Sequence, residues 1–306
     1  MLQQIRRHIL DMLWQYYCQS TPSMQRILSH LAETESQPIV LDHVALIDLP
    51  GPATGIHSLR ELFSLIGFRE QGTGYLPDKQ NDFLWMVEEA AHTKPVKSVL
   101  PQIVVADFRL EDMPKPIRTI IQKYASHATP IPFGAVKHAI KQAALGDKQA
   151  LMTHFNCYLL ERRWPLPSRF EWEVVNEYNQ LLAWVLIYGC RPNHFAISIH
   201  HLTSFSDLNH FHQFIEAKHN IALSEEGGKI KGGSAHGIAQ SSTAGIPQHV
   251  ALEDGDIMLT TGFAEFVWRY PHQTLANPLQ WGDYFTGFVA TQANHVIESL
   301  YVQDAN

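Results

Sequence analysis

The sequence predicts an α+β protein made of two copies of one strand–helix–strand–strand–strand unit, with a helical block between them. Three observations carry this. Residues 38–110 open on a short apolar run, pass through one amphipathic helix and continue as three runs of strand character. Residues 113–190 show only helical periodicity. After residue 190 the first order returns, so the chain repeats in element order although the two copies share little sequence. The predicted units are an N-terminal helical segment (1–36), a first βαβββ module (37–112), a helical insertion (113–190), and a second βαβββ module with a C-terminal segment (191–306). At 306 residues the chain is long enough to bury a core in both modules.

Each element has its own signal. In the first 35 residues Ile5, Ile9, Met12, Leu13 and Tyr16 recur at helical spacing. Residues 38–47 form an apolar run closed by Pro50-Gly51, which reads as a buried strand. Ser58–Ile66 reads as a helix capped by Ser58 and stopped by Gly67. Strands are predicted at 68–76, 82–88 and 102–110, and helices at 114–124, 135–144, 148–160 and 170–188, with Pro165-Leu166-Pro167 as a break. The second module is predicted as a strand at 194–202, a helix at 207–218 capped by Ser206, and strands at 230–233, 237–243 and 256–270.

Composition narrows the function classes. Hydrophobic residues make up 45% and charged residues 17%, which fits a globular chain. A net charge of −7 argues against nucleic-acid binding, which needs a basic face. Cys18, Cys157 and Cys190 show no CxxC spacing, so neither a disulfide framework nor a cysteine zinc site is expected, and a reducing compartment fits. No apolar run reaches the length of a membrane span, and the charged first helix lacks a signal-peptide core. A cytoplasmic protein is expected, with no signal for an oligomeric state.

Eighteen histidines are present, too many for the count alone to indicate a metal. Placement is more informative. Each module opens with a strand bearing a His in a similar setting, Asp42-His43-Val44-Ala45 and Asn193-His194-Phe195-Ala196, and Glu265 lies in the apolar run Gly262–Val267. A carboxylate buried there needs a cationic partner. Two imidazoles and one carboxylate around a metal form the facial triad of non-haem iron oxygenases. The bland alternative is two core histidines bonded to backbone, with Glu265 paired to Arg269 four residues on.

Several segments resemble the 2-oxoadipate dioxygenase/decarboxylase family. They are Ser36–Ile47, Trp164-Pro165-Leu166-Pro167, Leu182-Ala183-Trp184-Val185-Leu186, Arg191-Pro192-Asn193-His194-Phe195, Gln240-Ser241-Ser242-Thr243 and Gly262-Phe263-Ala264-Glu265-Phe266. The resemblance covers nearly all of the chain, roughly Val40 to Tyr301, and its motifs lie in one order. The resemblance implies the vicinal-oxygen-chelate architecture, in which two βαβββ modules form a half-open barrel around a metal. It implies Fe(II) on His43, His194 and Glu265, a 2-oxo acid bound through its keto oxygen and carboxylate, and O2 as co-substrate. The product is a shortened 2-hydroxy acid. Gln240 and Ser242 become catalytic candidates, and Ser241 and Thr243 substrate-binding candidates. The alternative for this run is a Ser/Thr-rich strand end bonded to backbone. Lys229 and Lys231 alternate around Ile230, and point either to a distal substrate carboxylate or to a solvated strand face.

One position departs from the family. Where members carry an Arg four residues after the first ligand His, this chain has Ile47. Either another basic group (Arg69, Arg109 or Lys231) takes over the substrate carboxylate, or the substrate has a less charged tail. The wall at Ile47 predicts the second. Two further function classes share the scaffold: a non-redox metal-dependent hydrolase, lyase or isomerase, and a binding protein that keeps the metal pocket without turnover. His200, His201, His210, His212 and His219 receive structural readings, and His236 is the one additional acid/base candidate.

Overall fold

The computed structural model describes residues 2–272 and 280–301. Residues 273–279 and the last five residues of the predicted 191–306 unit therefore lie outside the described residues. Two helices lead, α1 (Leu2–Ser20) and α2 (Pro22–Thr34), separated at Pro22, which occupies the first turn of α2. The first module follows as β1 (Leu41–Ile47), α3 (Ile56–Leu65), β2 (Phe68–Leu76), β3 (Asn81–Glu88) and β4 (Gln102–Phe108). Five helices come next: α4 (Lys115–Ala125), α5 (Phe133–Ala144), α6 (Gln149–Leu159), α7 (Arg169–Tyr178) and α8 (Gln180–Tyr188). The second module comprises β5 (Pro192–Ser198), α9 (Leu208–Gln213), β6 (Lys231–Gly233), β7 (Ile238–Ser242), β8 (Pro247–Leu252), β9 (Gly255–Thr260) and β10 (Phe263–Arg269). Helix α10 (Ala290–Ile297) ends the described chain apart from a short 3₁₀ turn.

Eight strands form one curled sheet in the order β2-β3-β4-β1-β5-β10-β7-β6. Each module contributes four neighbouring strands in a mirrored arrangement, and β1 meets β5 antiparallel at the centre. Strand alternation gives the sheet two different faces. Val44, Leu46, Phe195, Ile197, Ala264 and Phe266 point to one core, packed with residues of α1, α2, α3 and α9. Ile47, Phe83, Ala106 and Phe263 point to the other, closed by α8, α10 and the β8–β9 hairpin. Helix α8 is buried on all sides, as its uninterrupted apolar sequence requires. Among the described residues no helix is long and apolar enough to cross a membrane.

Several sequence boundaries shift for identifiable reasons. Ser58 does not cap α3. The helix begins at Ile56 behind Gly55, whose positive φ of 87° starts the turn, and the first amides are bonded by Asp48 and Asp107. Gly67 does stop it, at φ 86°. Asp207, not Ser206, caps α9 by accepting from the His210 amide at 2.8 Å. The predicted helix at 170–188 is two helices, because the Asn179 side chain accepts from the Leu182 amide and starts α8. The strand predicted at 194–202 ends at Ser198, where a 3₁₀ turn takes over. The run 256–270 divides into β9 and β10 at Thr261-Gly262, and β8 with β9 forms a separate hairpin inserted between β7 and β10.

Candidate metal centre

The site lies where the two modules join. On β5, Ala196 is paired with His43 of β1 on one side and Glu265 of β10 on the other, and His194 lies two residues along the same face. His43 Nε2 lies 3.3 Å from His194 Nε2 and 3.4 Å from Glu265 Oε2, and His194 Nε2 lies 3.0 Å from Glu265 Oε2. All three residues are buried. The sequence thus placed its three metal candidates, 151 and 71 residues apart, where the fold brings their donor atoms together.

These atoms fit a cation. Two imidazole nitrogens facing each other cannot both present lone pairs without repulsion, and Glu265 Oε2 is buried without a hydrogen-bond partner. A divalent ion between two imidazoles and a carboxylate satisfies all three atoms, and this donor set suits iron and neighbouring transition metals. The charge balance points the same way. Burial disfavours the His43 cation, but Glu265 and Asp42 outweigh it and raise its pKa to about 9. Burial lowers His194 to about 4, opposed by Glu265 and reinforced by His43. Burial likewise opposes the Glu265 charge, yet both imidazoles and Gln240 hold its pKa below the ordinary value. With His43 favouring its protonated form and His194 its neutral one, the Glu265 carboxylate is balanced by a proton on His43, the positive charge that a bound cation would replace.

Further contacts orient the candidate ligands, His43 and Glu265 by hydrogen bonds and His194 by ring stacking. His43 Nδ1 donates to Asp42 Oδ1 at 2.8 Å, which directs its Nε2 inward. Neighbouring strand residues normally face opposite ways. Here the pairing with β5 shifts between Leu41 and His43, and this β-bulge lets Asp42 meet the adjacent ring. Arg269 then grips Asp42 through Nε and Nη2 at 2.7 and 2.8 Å, and its Nη1 reaches the carbonyls of Phe285 and Gly287. The expected alternative pairing of Arg269 with Glu265 is thus replaced by Arg269–Asp42. Gln240 Nε2 donates to Glu265 Oε1 at 2.7 Å. His194 stacks on Phe263, and His43 packs edge-on against Phe288.

The triad opens into a cavity of ≈ 510 Å³, counting all space between atoms out to its mouth. Beyond the triad, Gln240 and Asn81 are its polar lining residues. The rest are apolar, with Ile47, Leu76, Phe83 and Ala106 from the first module and Phe288, Val296 and Ile297 from the C-terminal segment. The sequence reading assigned nothing to that segment, whose apolar residues carry no chemical signature.

The other candidates divide by strand face. Gln240 and Ser242 share the face of Glu265, which pairs with Ser242. Ser242 is bonded to Ser299 at 2.8 Å and does not line the cavity. Ser241 and Thr243 point the opposite way, a correction to their substrate-binding assignment. Ser241 meets His212 of α9, and Thr243 contacts Ser23 and the Ala264 amide. Ile47 lines the cavity. Arg69 is on the surface against Glu89, and Arg109 is bound bidentately to Asp82, so neither reaches the site. Lys229 is ion-paired to Glu216. Lys231 is buried at 3% exposure, which removes the solvated-face reading for it. His236 is exposed.

The family model of 2-oxoadipate dioxygenase/decarboxylase matches residues 9–276. The chain is 26% identical over 254 residues to the chloroplastic 2-oxoadipate dioxygenase/decarboxylase of Arabidopsis thaliana. That match covers 81% of this chain and 63% of the length of the relative. Its fold is shared with the hydroxyglutarate synthase of Oryza sativa crystallised with 2-oxoadipate (TM-score 0.80, 24% identity, 98% of this chain and 93% of that one). It is also shared with a glyoxalase-superfamily protein of Ralstonia eutropha (TM-score 0.76, 15% identity, 92% and 85%).

Proposed function

This chain belongs to the 2-oxoadipate dioxygenase/decarboxylase family, and we propose that it is an Fe(II)-dependent oxygenase that decarboxylates a 2-oxo acid. One 2-oxo acid and one O2 give CO2 and a 2-hydroxy acid one carbon shorter. The keto carbon becomes the new carboxyl and the adjacent methylene gains the hydroxyl. The observation that carries this reading is the convergence of two imidazoles and one unsatisfied carboxylate oxygen at the wall of a largely apolar cavity.

His43, His194 and Glu265 would hold the metal, which supplies binding of the 2-oxo acid and activation of O2. The chain supplies the rest. Asp42, backed by Arg269, keeps the Nδ1 hydrogen of His43 engaged and its Nε2 free to ligate. Gln240 uses one Nε2 hydrogen to align Glu265 and retains a second for a substrate oxygen. The apolar walls from Ile47 to Val296 exclude water, which protects a reactive oxidant from side reactions and orients the carbon chain of the substrate. Ser242 acts through its bond to Ser299, steadying the strand that carries Gln240.

The test is oxygen uptake by protein reconstituted anaerobically with Fe(II) and offered a panel of 2-oxo acids. Uptake that requires both Fe(II) and a 2-oxo acid, and that His194→Ala abolishes, is the expected result. Turnover of a 2-oxo acid without oxygen uptake would instead indicate non-redox chemistry on this scaffold.

A further inference from the structure

We propose that Lys231 binds the second carboxylate of a dicarboxylic 2-oxo acid, entering from the second module in place of the family Arg that Ile47 lacks. This rests on the 2-oxo acid reading of the site. Lys231 of β6 is paired directly with Gln240 of β7, so both side chains stand on the metal-facing side of the sheet. Gln240 in turn lines the cavity and bonds Glu265. Lys231 thus begins one strand beyond the cavity wall, on a flexible four-carbon stem.

Its ammonium is under-bonded where it sits. The ammonium has three hydrogens to donate, and its one hydrogen-bond partner among the described residues is the Ser224 carbonyl, at 3.5 Å. Burial lowers its pKa, and Glu265, Glu298 and Glu226 pull back toward the charged form from a distance. Ser224 Oγ and both amide atoms of Gln292 are also buried without partners. Helix α10, which carries Gln292, packs over β6 and β7. Of these atoms the Ser224 hydroxyl and Gln292 Nε2 can donate, and buried donors without partners are costly unless a ligand completes them.

Charge supplies the second argument. Arg269 and Asp42 cancel. A divalent ion, the Glu265 carboxylate and the Lys231 ammonium together leave a double positive charge. A monoanionic 2-oxo acid neutralises half of it, and a dianionic one all of it. The first-module end of the cavity is walled by Ile47, Leu76, Phe83 and Ala106; its polar lining residue, Asn81, gives its amide to the Asp107 carbonyl, so no cation meets a carboxylate there. The charged end of the substrate is therefore directed toward β6. On Ile47 alone the sequence predicts a less charged tail; the buried lysine reverses that expectation.

The experiment is calorimetric titration of the Fe(II)-loaded protein, without O2, with 2-oxoadipate and with 2-oxohexanoate, which lacks the second carboxylate. The wild type is expected to favour 2-oxoadipate by about tenfold or more, the scale of one charge-assisted hydrogen bond. Lys231→Met, a near-isosteric change, should erase that preference and leave 2-oxohexanoate affinity unchanged, which also reports that the pocket is intact. Lys231→Arg should keep part of the preference. Equal wild-type affinities, or a Lys231→Met protein weakened for both acids alike, would overturn the proposal while leaving the oxygenase reading in place. Failure of the iron-loaded protein to bind either acid would remove both.

Discussion

Replacing Arg269 with Met isolates the support behind His43. Arg269 is 1% exposed, and its guanidinium makes two hydrogen bonds to the buried Asp42 and two more to the carbonyls of Phe285 and Gly287. Burial opposes the Asp42 charge, and Arg269 with His43 overcomes it, holding the carboxyl well below the ordinary range. Removing the guanidinium leaves that carboxylate buried beside one imidazole. Breaking a buried pair in this way costs about 3–5 kcal/mol. At roughly 2 °C per kcal/mol for a chain of this size, the midpoint of metal-free thermal unfolding should fall by about 6–10 °C. Loss of this outer support should also weaken metal binding by about 10- to 100-fold, because His43 loses its fixed orientation. The assay pairs thermal unfolding of the metal-free protein with Fe(II) titration. Asp42→Asn and the double variant complete the cycle, in which the two single losses should not add. Unchanged melting and unchanged Fe(II) affinity in Arg269→Met would refute the claim that this pair holds the ligand.

Further outcomes follow from the same contacts. His43→Ala, His194→Ala and Glu265→Ala should each lose stoichiometric Fe(II) by metal analysis, since a three-ligand site has none to spare; full iron in any one removes that residue from the site. Gln240→Ala should lower kcat/KM by about 2–4 kcal/mol of transition-state stabilisation. It should also weaken Fe(II), because Gln240 bonds a ligand oxygen; wild-type values for both would return it to a structural role. Burial raises the Asp107 pKa to about 6, opposed by the Ile56 amide and reinforced by Asp48, Asp82 and Glu111. The folded state therefore holds a proton that the unfolded chain has released, and stability from this group falls as pH rises from about 4 through 6, by about 3 kcal/mol in all. Asp107→Asn keeps an acceptor for the Ile56 amide and should flatten that slope in urea unfolding; parallel profiles for the two proteins would contradict it.

The two modules were legible because strand and helix periodicities differ, and because each module begins with a His in similar company. The β8–β9 hairpin was not. Its second strand runs into β10 with only Thr261-Gly262 between them, and nothing local marks a change of sheet. The three candidate ligands were legible from His43, His194 and the carboxylate in an apolar run, but the contacts around them were hidden. An Asp next to a His in a strand reads as facing away, and only the bulge at Asp42 turns it toward the ring. Spacing within β10 suggested Arg269 for Glu265, whereas the partner is 227 residues away in sequence. Ser241 and Thr243 were grouped with Gln240 by proximity, and strand alternation separates them. Lys231 had the pattern of a surface residue, and its burial comes from the covering α10, whose position over β6 no local signal encodes.

Turnover of a 2-oxo acid under ¹⁸O2 by the Fe(II)-loaded protein tests the central claim most directly. Mass spectrometry of the product reads where the oxygen goes. A dioxygenase that decarboxylates its substrate incorporates one labelled atom in the new hydroxyl and one in the new carboxylate, with one CO2 released for each O2 consumed. A shortened or rearranged product carrying no label, or CO2 released without oxygen consumption, would contradict the account.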